Sequence, residues 1–382
     1  MVSCVRFLFL VFFSLSLLNC SSHNPKEKKN PTMGEIKGVM KKVADWQIQN
    51  HTYKTSGNLH DYGIDSWTNG TLYIGMLEWA NIAGNPVYMN WLSDIGNIND
   101  WKIPANFLDY PRYKYYHADE LCIGQFYLSM YDVTKDKKIL NSVKERVDLI
   151  MKNPGDSSMS YKNKQVWSWC DALFMAPPVY VHLYEITGDD RYLEYMDREF
   201  KRTYNHLYNE EQNLFFRDDS FFEKKEANGK NIFWGRGNGW VAAGLVSILK
   251  ILPEQSSYRP FYLELYKKFV PDLVQYQDES GFWHASLLDP DSYPSPETSA
   301  TAMITYSLAY GINEGLLDKK KYREVVNKAW NALTSAVDEN GKLGWVQPIG
   351  ADPKKVTADM TAVYGVGAFL LAGTEVCRLE NN

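Results

Sequence analysis

Apolar residues return along most of this chain at the three-to-four spacing of an amphipathic helix. They alternate in the strand manner only in short pieces such as 214–217 and 281–284. The periodicity predicts helices near 34–50, 67–83, 86–101, 118–133, 136–152, 168–187, 189–207, 238–251, 257–277, 297–312, 318–336 and 357–377, twelve in all.

A recurring phrase pairs them. Trp79 to Tyr88 (WANIAGNPVY), Tyr131 to Lys138 (YDVTKDKK) and Tyr184 to Tyr192 (YEITGDDRY) each close an apolar helix on an aromatic residue. Each then turns through Gly or a polar pair and restarts on Pro or Asp. From Trp79 to Tyr131 is 52 residues and from Tyr131 to Tyr184 is 53, the length of a helical hairpin with its loops. Six such hairpins can close into an all-α (α/α)6 toroid or stay open as a solenoid. An open solenoid needs polar capping repeats at both ends, whereas the last helix reads AVYGVGAFLLA from Ala362 to Ala372 and suits burial in a closed ring. The expected architecture is therefore one (α/α)6 domain over 33–382.

The first residues are of another kind. Arg6 precedes an apolar and small-residue run from Phe7 to Leu18, too short for a permanent span and placed as a secretory signal. The following Leu17-Leu18-Asn19-Cys20 resembles a bacterial lipobox, which makes 1–19 a signal peptide and Cys20 the lipidated first residue. Residues 20–32 are polar, charged and proline-containing and read as a tether. The expectation is an exported lipoprotein that meets the membrane through its lipid alone. The residues after Cys20 are not acidic, which favours the periplasmic face of the outer membrane.

The formal charge of −5 offers no basic field for nucleic acid. Cys122, Cys170 and Cys377 are too scattered for a disulfide framework or a metal site. His117, His182, His206 and His284 have no metal-ligand spacing, and no Walker, Rossmann or G-x-S-x-G pattern occurs, so neither metal nor cofactor is expected. The 12 Trp and 26 Tyr suit either sugar stacking or an aromatic core.

Five stretches break the amphipathic pattern at predicted helix starts: Ser66–Gly70, His117–Glu120, Trp167–Asp171, Trp234–Trp240 and Pro296–Ala300. In a toroid of hairpins these starts share one rim. Asp171 is either a capping-box acid after Ser168 or a carboxylate desolvated among indoles and suited to give a proton. Asp119 is either a dipole-favoured acid in a first turn or its catalytic partner, and Glu297 is a third candidate with Thr298 and Ser295 as competing caps. The three glycines around Arg236 let backbone approach a ligand, with Asn238 as helix cap. There Arg236 and Trp240 suit a sugar carboxylate, unless the stretch is a structural turn.

In these motifs the sequence resembles glycoside hydrolase family 105, the unsaturated rhamnogalacturonyl hydrolases, and more distantly family 88, the unsaturated glucuronyl hydrolases. The resemblance runs from SWTNG at Ser66 through WCDALFMAPP at Trp169 and WGRGNGW at Trp234 to ETSATAM at Glu297. It implies an (α/α)6 fold and hydration of the C4=C5 double bond in the Δ4,5-unsaturated uronyl residue that a lyase leaves at a nonreducing end, so the partner is an anionic oligosaccharide. It also implies Asp171 as general acid/base, Asp119 as second aspartate, Trp169, Arg236 and Trp240 as substrate contacts, and Trp67 as a groove aromatic. One departure stands out: where many members carry a histidine after the Leu-Phe-Tyr of the short hairpin, this chain has Leu214-Phe215-Phe216-Arg217. Arg217 would add a contact to a carboxylate or sulfate. A conventional glycosidase and a non-catalytic glycan-binding lipoprotein are the competing readings.

Overall fold

The computed structural model describes residue 1 and residues 30–53, 63–104 and 115–381. The expected signal peptide, most of the tether and Cys20 lie outside the described residues.

Helices alternate between an outer and an inner layer. In chain order they are α1 (Met33–Gln49), α2 (Trp67–Ala83), α3 (Pro86–Ile98), α4 (Ala118–Thr134), α5 (Lys137–Lys152), α6 (Ala172–Met175), α7 (Pro177–Thr187), α8 (Arg191–Leu207), α9 (Gly235–Ile251), α10 (Arg259–Asp272), α11 (Thr298–Asn313), α12 (Lys319–Ser335) and α13 (Val363–Asn381). Burial separates the layers. Outer α8 hides only one stripe, including Tyr192, Met196, Glu199 and Thr203, whereas inner α11 is buried continuously from Thr298 to Ile312.

The inner helices form a closed ring: α2 packs on α4, α4 on α6 and α7, these on α9, α9 on α11, α11 on α13, and α13 back on α2. Closure depends on glycine. A Cβ at Gly75 of α2 would lie 2.2 Å from the Gly367 carbonyl oxygen, and one at Gly367 of α13 would lie 2.2 Å from that of Thr71. The two helices therefore cross backbone against backbone, as the apolar, glycine-bearing last helix led one to expect.

The recurring phrase has a conformational cause. Gly84, Lys135 and Gly188, which follow α2, α4 and α7, all adopt left-handed backbone with φ of 66°, 55° and 69°. This ends each inner helix. Asn85 and Asp136 then cap α3 and α5 by accepting from backbone N–H groups two residues on.

Some expected boundaries shift. The helix expected over 168–187 starts at Ala172 and breaks at Ala176, because Pro177 and Pro178 bring no N–H to continue the ladder. The helix expected from 257 to 277 ends at Asp272 and tightens into a 3-10 turn over Leu273–Tyr276. The piece at 214–217 forms β2 (Leu214–Phe215), paired antiparallel with β1 (Tyr208–Asn209), but 281–284 forms no strand.

Candidate active site

Five inner helices start on the five polar stretches, with Ser66, His117, Asp171, Trp234 and Glu297 at the N-cap positions of α2, α4, α6, α9 and α11. Side-chain contacts join these starts. The His117 and Trp169 rings are 4.7 Å apart, Trp67 and Trp240 meet edge-on at 6.0 Å, and the Gln347 N–H donates to Glu297 at 3.0 Å.

Asp171 makes no capping bond, and Ser168 donates instead to the Asn163 carbonyl, so the capping-box alternative does not form. The Asp171 carboxyl is buried, and its Oδ1 has no hydrogen-bond partner among the described residues. Its Oδ2 lies 3.4 Å from Arg217 Nε. Burial raises the Asp171 pKa, and the positive charges of Arg217 and Arg236 hold back part of that rise.

Asp119, in the first turn of α4, is pushed up to about 7 by burial and then by the negative charge of Asp171, against the pull of Arg217, Lys164 and the Trp169 indole. Its Oδ1 also lacks a partner among the described residues. The charge on Asp171 thus contributes to the raised pKa of Asp119.

Facing them is an unusual set of cations. Arg217 binds Asp218 through Nη1 and leaves Nε without a hydrogen bond among the described residues. Burial pulls its pKa down, but Asp171 and Asp218 outweigh that pull and keep it raised. Lys164 sits 4.4 Å from the Trp169 ring centroid, with Nζ likewise unpartnered. Burial and Arg217 lower its pKa to about 8. Buried polar atoms of both signs are thus left without donors or acceptors among the described residues, as suits a site for a polar ligand.

Arg236 takes a different position from the one expected. Its Nη1 donates to the Gln347 carbonyl at 2.5 Å and to Tyr364 Oη at 3.3 Å, and its Nη2 donates to the Pro348 carbonyl at 2.9 Å. The guanidinium also lies 4.4 Å from the Trp234 ring centroid. Its fork is spent on backbone, Nε alone stays unpartnered, and no carboxylate pairs with it among the described residues. A buried cation so held acts on the site chiefly through its field.

Three further expectations change. Glu297 is fully buried and accepts from the backbone N–H groups of Ser299, Ala300 and Gln347 and from the Ser299 hydroxyl. Both its oxygens are used, so it caps α11 and fastens the 345–348 segment and has nothing left for a ligand. Asn238 is no cap. It lies inside α9, accepting from Phe215 N–H at 2.8 Å and donating to the Phe215 carbonyl, which ties α9 to β2. Trp240 is 1% exposed and packs on Phe174 and Trp67, a wall behind the site; Trp67, 7% exposed, lies against Tyr364. Trp169 does stand at the carboxylates, as expected.

Lys164 and His117 belong to the site although the sequence reading gave neither a role there. Lys164 has no motif around it. His117 reads as structural, and in part is: its Nδ1 accepts the Asp119 N–H at 3.3 Å. Burial and the charges of Lys164 and Arg217 hold its pKa well below the usual range, so it faces Asp119 as a neutral ring. A separate cavity of about 390 Å³ lies at the far ends of the inner helices, where Lys250 is already bound to Glu78 and Glu375, and His182 to Asp132.

With this geometry in place, the comparison with known families is decisive. The model described as Glycosyl Hydrolase Family 88 matches residues 39–380. The chain belongs to glycosyl hydrolase family 88. It is accordingly a glycoside hydrolase. An "Unsaturated 3S-rhamnoglycuronyl hydrolase" of Formosa agariphila is 36% identical, covering 92% of this chain and 93% of that protein. Among solved structures, "Glycosyl hydrolase family 88 from Bacteroides vulgatus" superposes with a TM-score of 0.81 at 32% identity, over 91% of this chain and 99% of the other. "Polysaccharide Lyase BACCELL_00875" does so at 0.79 and 32%, over 91% and 97%.

Proposed function

We propose that this family 88 enzyme removes the Δ4,5-unsaturated uronyl residue from the nonreducing end of lyase-generated acidic oligosaccharides, by hydrating its C4=C5 double bond. The observation that carries the reading is the buried pair Asp119 and Asp171, each with a carboxyl oxygen lacking a hydrogen-bond partner among the described residues and a pKa raised by burial, beside Arg217 and Lys164. In the free enzyme Arg217 favours the charged form of Asp171. A uronate carboxylate that engages Arg217 weakens that attraction and raises the affinity of Asp171 for a proton.

Asp171 then delivers the proton to C4, and positive charge spreads over C5 and the ring oxygen. The resulting carboxylate takes a proton from water as the water oxygen bonds to C5. The hemiketal opens to a ketone and the aglycone departs without attack at the anomeric carbon. Trp169, buried against His117 and Lys164 and hydrogen-bonded to Asp119, holds that carboxyl in place. The relative's name supports an aglycone of the rhamnoglycuronyl kind.

The test follows the conjugated enol acid by its ultraviolet absorbance across lyase digests of ulvan, rhamnogalacturonan and arabinogalactan. The proposal expects the band to disappear on at least one digest. A rise in absorbance on an uncut polysaccharide would mark a lyase, and release of sugar only from saturated glycans would mark a conventional glycosidase. For the chain's address, we propose export and lipidation at Cys20, supported by the leader sequence; radiolabelled palmitate incorporation that persists in Cys20→Ser would refute it.

A further inference from the structure

Arg217 has two carboxylates within reach, and it is bonded to the one that takes no part in the proposed reaction. Its Nη1 donates to Asp218 Oδ2, whereas its Nε stops 3.4 Å from Asp171 Oδ2 and forms no hydrogen bond among the described residues. A guanidinium free to turn closes a two-pronged pair on a neighbouring carboxylate, the strongest contact open to it. Here such a pair would hold Asp171 in its charged form and deprive it of the proton it has to give.

Asp218 stands in the way of that closure. It is 2% exposed, and its backbone is extended, with φ of −161°. Its Oδ1 accepts the Ser220 N–H at 3.0 Å and its carbonyl accepts the Phe221 N–H at 3.1 Å, so the 218–221 turn fixes the side chain that receives Arg217. The arginine backbone is anchored as well, since its carbonyl accepts the N–H of Cys170, the residue before Asp171, at 2.9 Å. With both backbones held, only the stem of Arg217 can turn. Asp218 stops it, while 19% of the arginine side chain stays open to a ligand.

We propose that Asp218 is a positioning residue, which holds the Arg217 guanidinium off Asp171 and leaves its free edge for the substrate carboxylate. The role rests on Asp171 being the acid of the reaction proposed above. Asp171 is also faced by Arg236 from α9, by Asp119 from α4 with neutral His117 beside it, by Lys164 from the loop before α6 and by the Cys170 thiol. Among the described residues Arg217 forms ion pairs with Asp171 and Asp218 alone, so loss of one carboxylate leaves it the other. Removing the Asp218 charge then acts twice in one sense: a negative charge that raises the Asp171 pKa is lost, and the arginine closes on Asp171.

The test compares wild type, Asp218→Asn, Arg217→Ala and the double variant. Asn keeps an acceptor oxygen for the Ser220 N–H and removes the charge. Two readouts are taken against pH: kcat/KM on an unsaturated disaccharide, and the carbon-13 shift of the Asp171 carboxyl in aspartate-labelled protein, assigned through Asp171→Asn. In Asp218→Asn the alkaline limb and the Asp171 titration should both move to lower pH by about 1 unit, opposite in direction to Arg217→Ala, with kcat/KM on that limb down about tenfold. Added to Arg217→Ala, the same change should move them far less, because no guanidinium is left to hold. A loss of activity equal at every pH, with the Asp171 titration unmoved, would reduce Asp218 to the cap of its turn and overturn the proposal. So would a shift of the same size with and without Arg217. If Asp218→Asn alone fails to fold, the double variant, which carries no uncompensated arginine, decides: a limb matching that of Arg217→Ala supports the role, and one well displaced from it overturns it. The carbon-13 titration needs no substrate, so it judges Asp218 even if the wild type leaves the ultraviolet band of every lyase digest intact, a result that would refute the reaction instead.

Discussion

Arg217 Nε stands 3.4 Å from Asp171 Oδ2 and holds that carboxyl toward its charged form. Replacing the arginine therefore lets the Asp171 pKa rise. In Arg217→Ala the alkaline limb of the kcat/KM profile should move to higher pH, with KM raised by the loss of a cation for the uronate. A profile that keeps its alkaline limb while KM alone changes would mean that Arg217 binds substrate without tuning Asp171.

Asp119, at about 7, gives the wild-type limb its position, so activity should fall as pH rises through about 7 and Asp119 loses its proton. Stability follows the same titration. The folded-state pKa lies above the unfolded value of 3.8, so between the two the folded protein holds a proton that the unfolded chain releases. That stabilisation is whole below the unfolded pKa and is lost as pH passes through the folded one. Asp119→Asn, spared a buried charge, should melt higher than wild type at pH 8 by a margin on the order of 1–2 kcal/mol and show no such advantage at pH 4. Activity should fall sharply. Equal melting curves at pH 8 would show that Asp119 is not desolvated.

Ring closure is equally open to test. In Gly367→Ala the new methyl would sit 2.2 Å from the Thr71 carbonyl oxygen, and backbone on both sides leaves no flexible side chain to yield. Denaturant unfolding should report a loss of about 2–4 kcal/mol. A change under half a unit of that scale would mean that α2 and α13 do not meet as described.

Glu297→Ala should destabilise the fold by about 2–4 kcal/mol, because four donors lose their acceptor at once. Since Gln347 and Pro348 carry the carbonyls that hold Arg236, catalysis by the folded fraction should fall as well. Gln at this position retains one acceptor oxygen and should recover part of the stability. A variant as stable as wild type would return Glu297 to the candidates for ligand contact.

How much of this was legible in the sequence depended on range. The hairpin period and the left-handed turns at Gly84 and Gly188 are local, so the helical pairing could be read directly, while twelve helices were expected and thirteen form among the described residues because Pro177 and Pro178 split the one over 168–187. The convergence of Asp119, Asp171 and Trp169 followed from helix starts sharing a rim. What could not be read was where each side chain finds its partner. Glu297 and Arg236 look like ligand groups until the 345–348 segment, some fifty and a hundred residues away, arrives to occupy them. Asn238 has the composition of a cap, yet it serves a strand at Phe215. Lys164 has no motif because its place is given by Trp169 and Arg217 and not by its neighbours in the chain.

Asp171→Asn should remove turnover of unsaturated oligosaccharides by at least about 10²–10⁴-fold while leaving substrate binding measurable by calorimetry. The amide cannot cycle a proton to C4. Retained turnover would exclude Asp171 as the acid.

The most direct measurement concerns the fate of the double bond itself. Purified enzyme is run to completion on a single Δ4,5-unsaturated disaccharide in oxygen-18 water, and the released uronyl unit is examined by mass spectrometry and ultraviolet absorbance. The account predicts a 5-keto unit of the same composition as the free unsaturated uronate, with a solvent oxygen on C5 and the alkene band gone. A released unit that keeps its absorbance, with label only at the anomeric carbon, would contradict it.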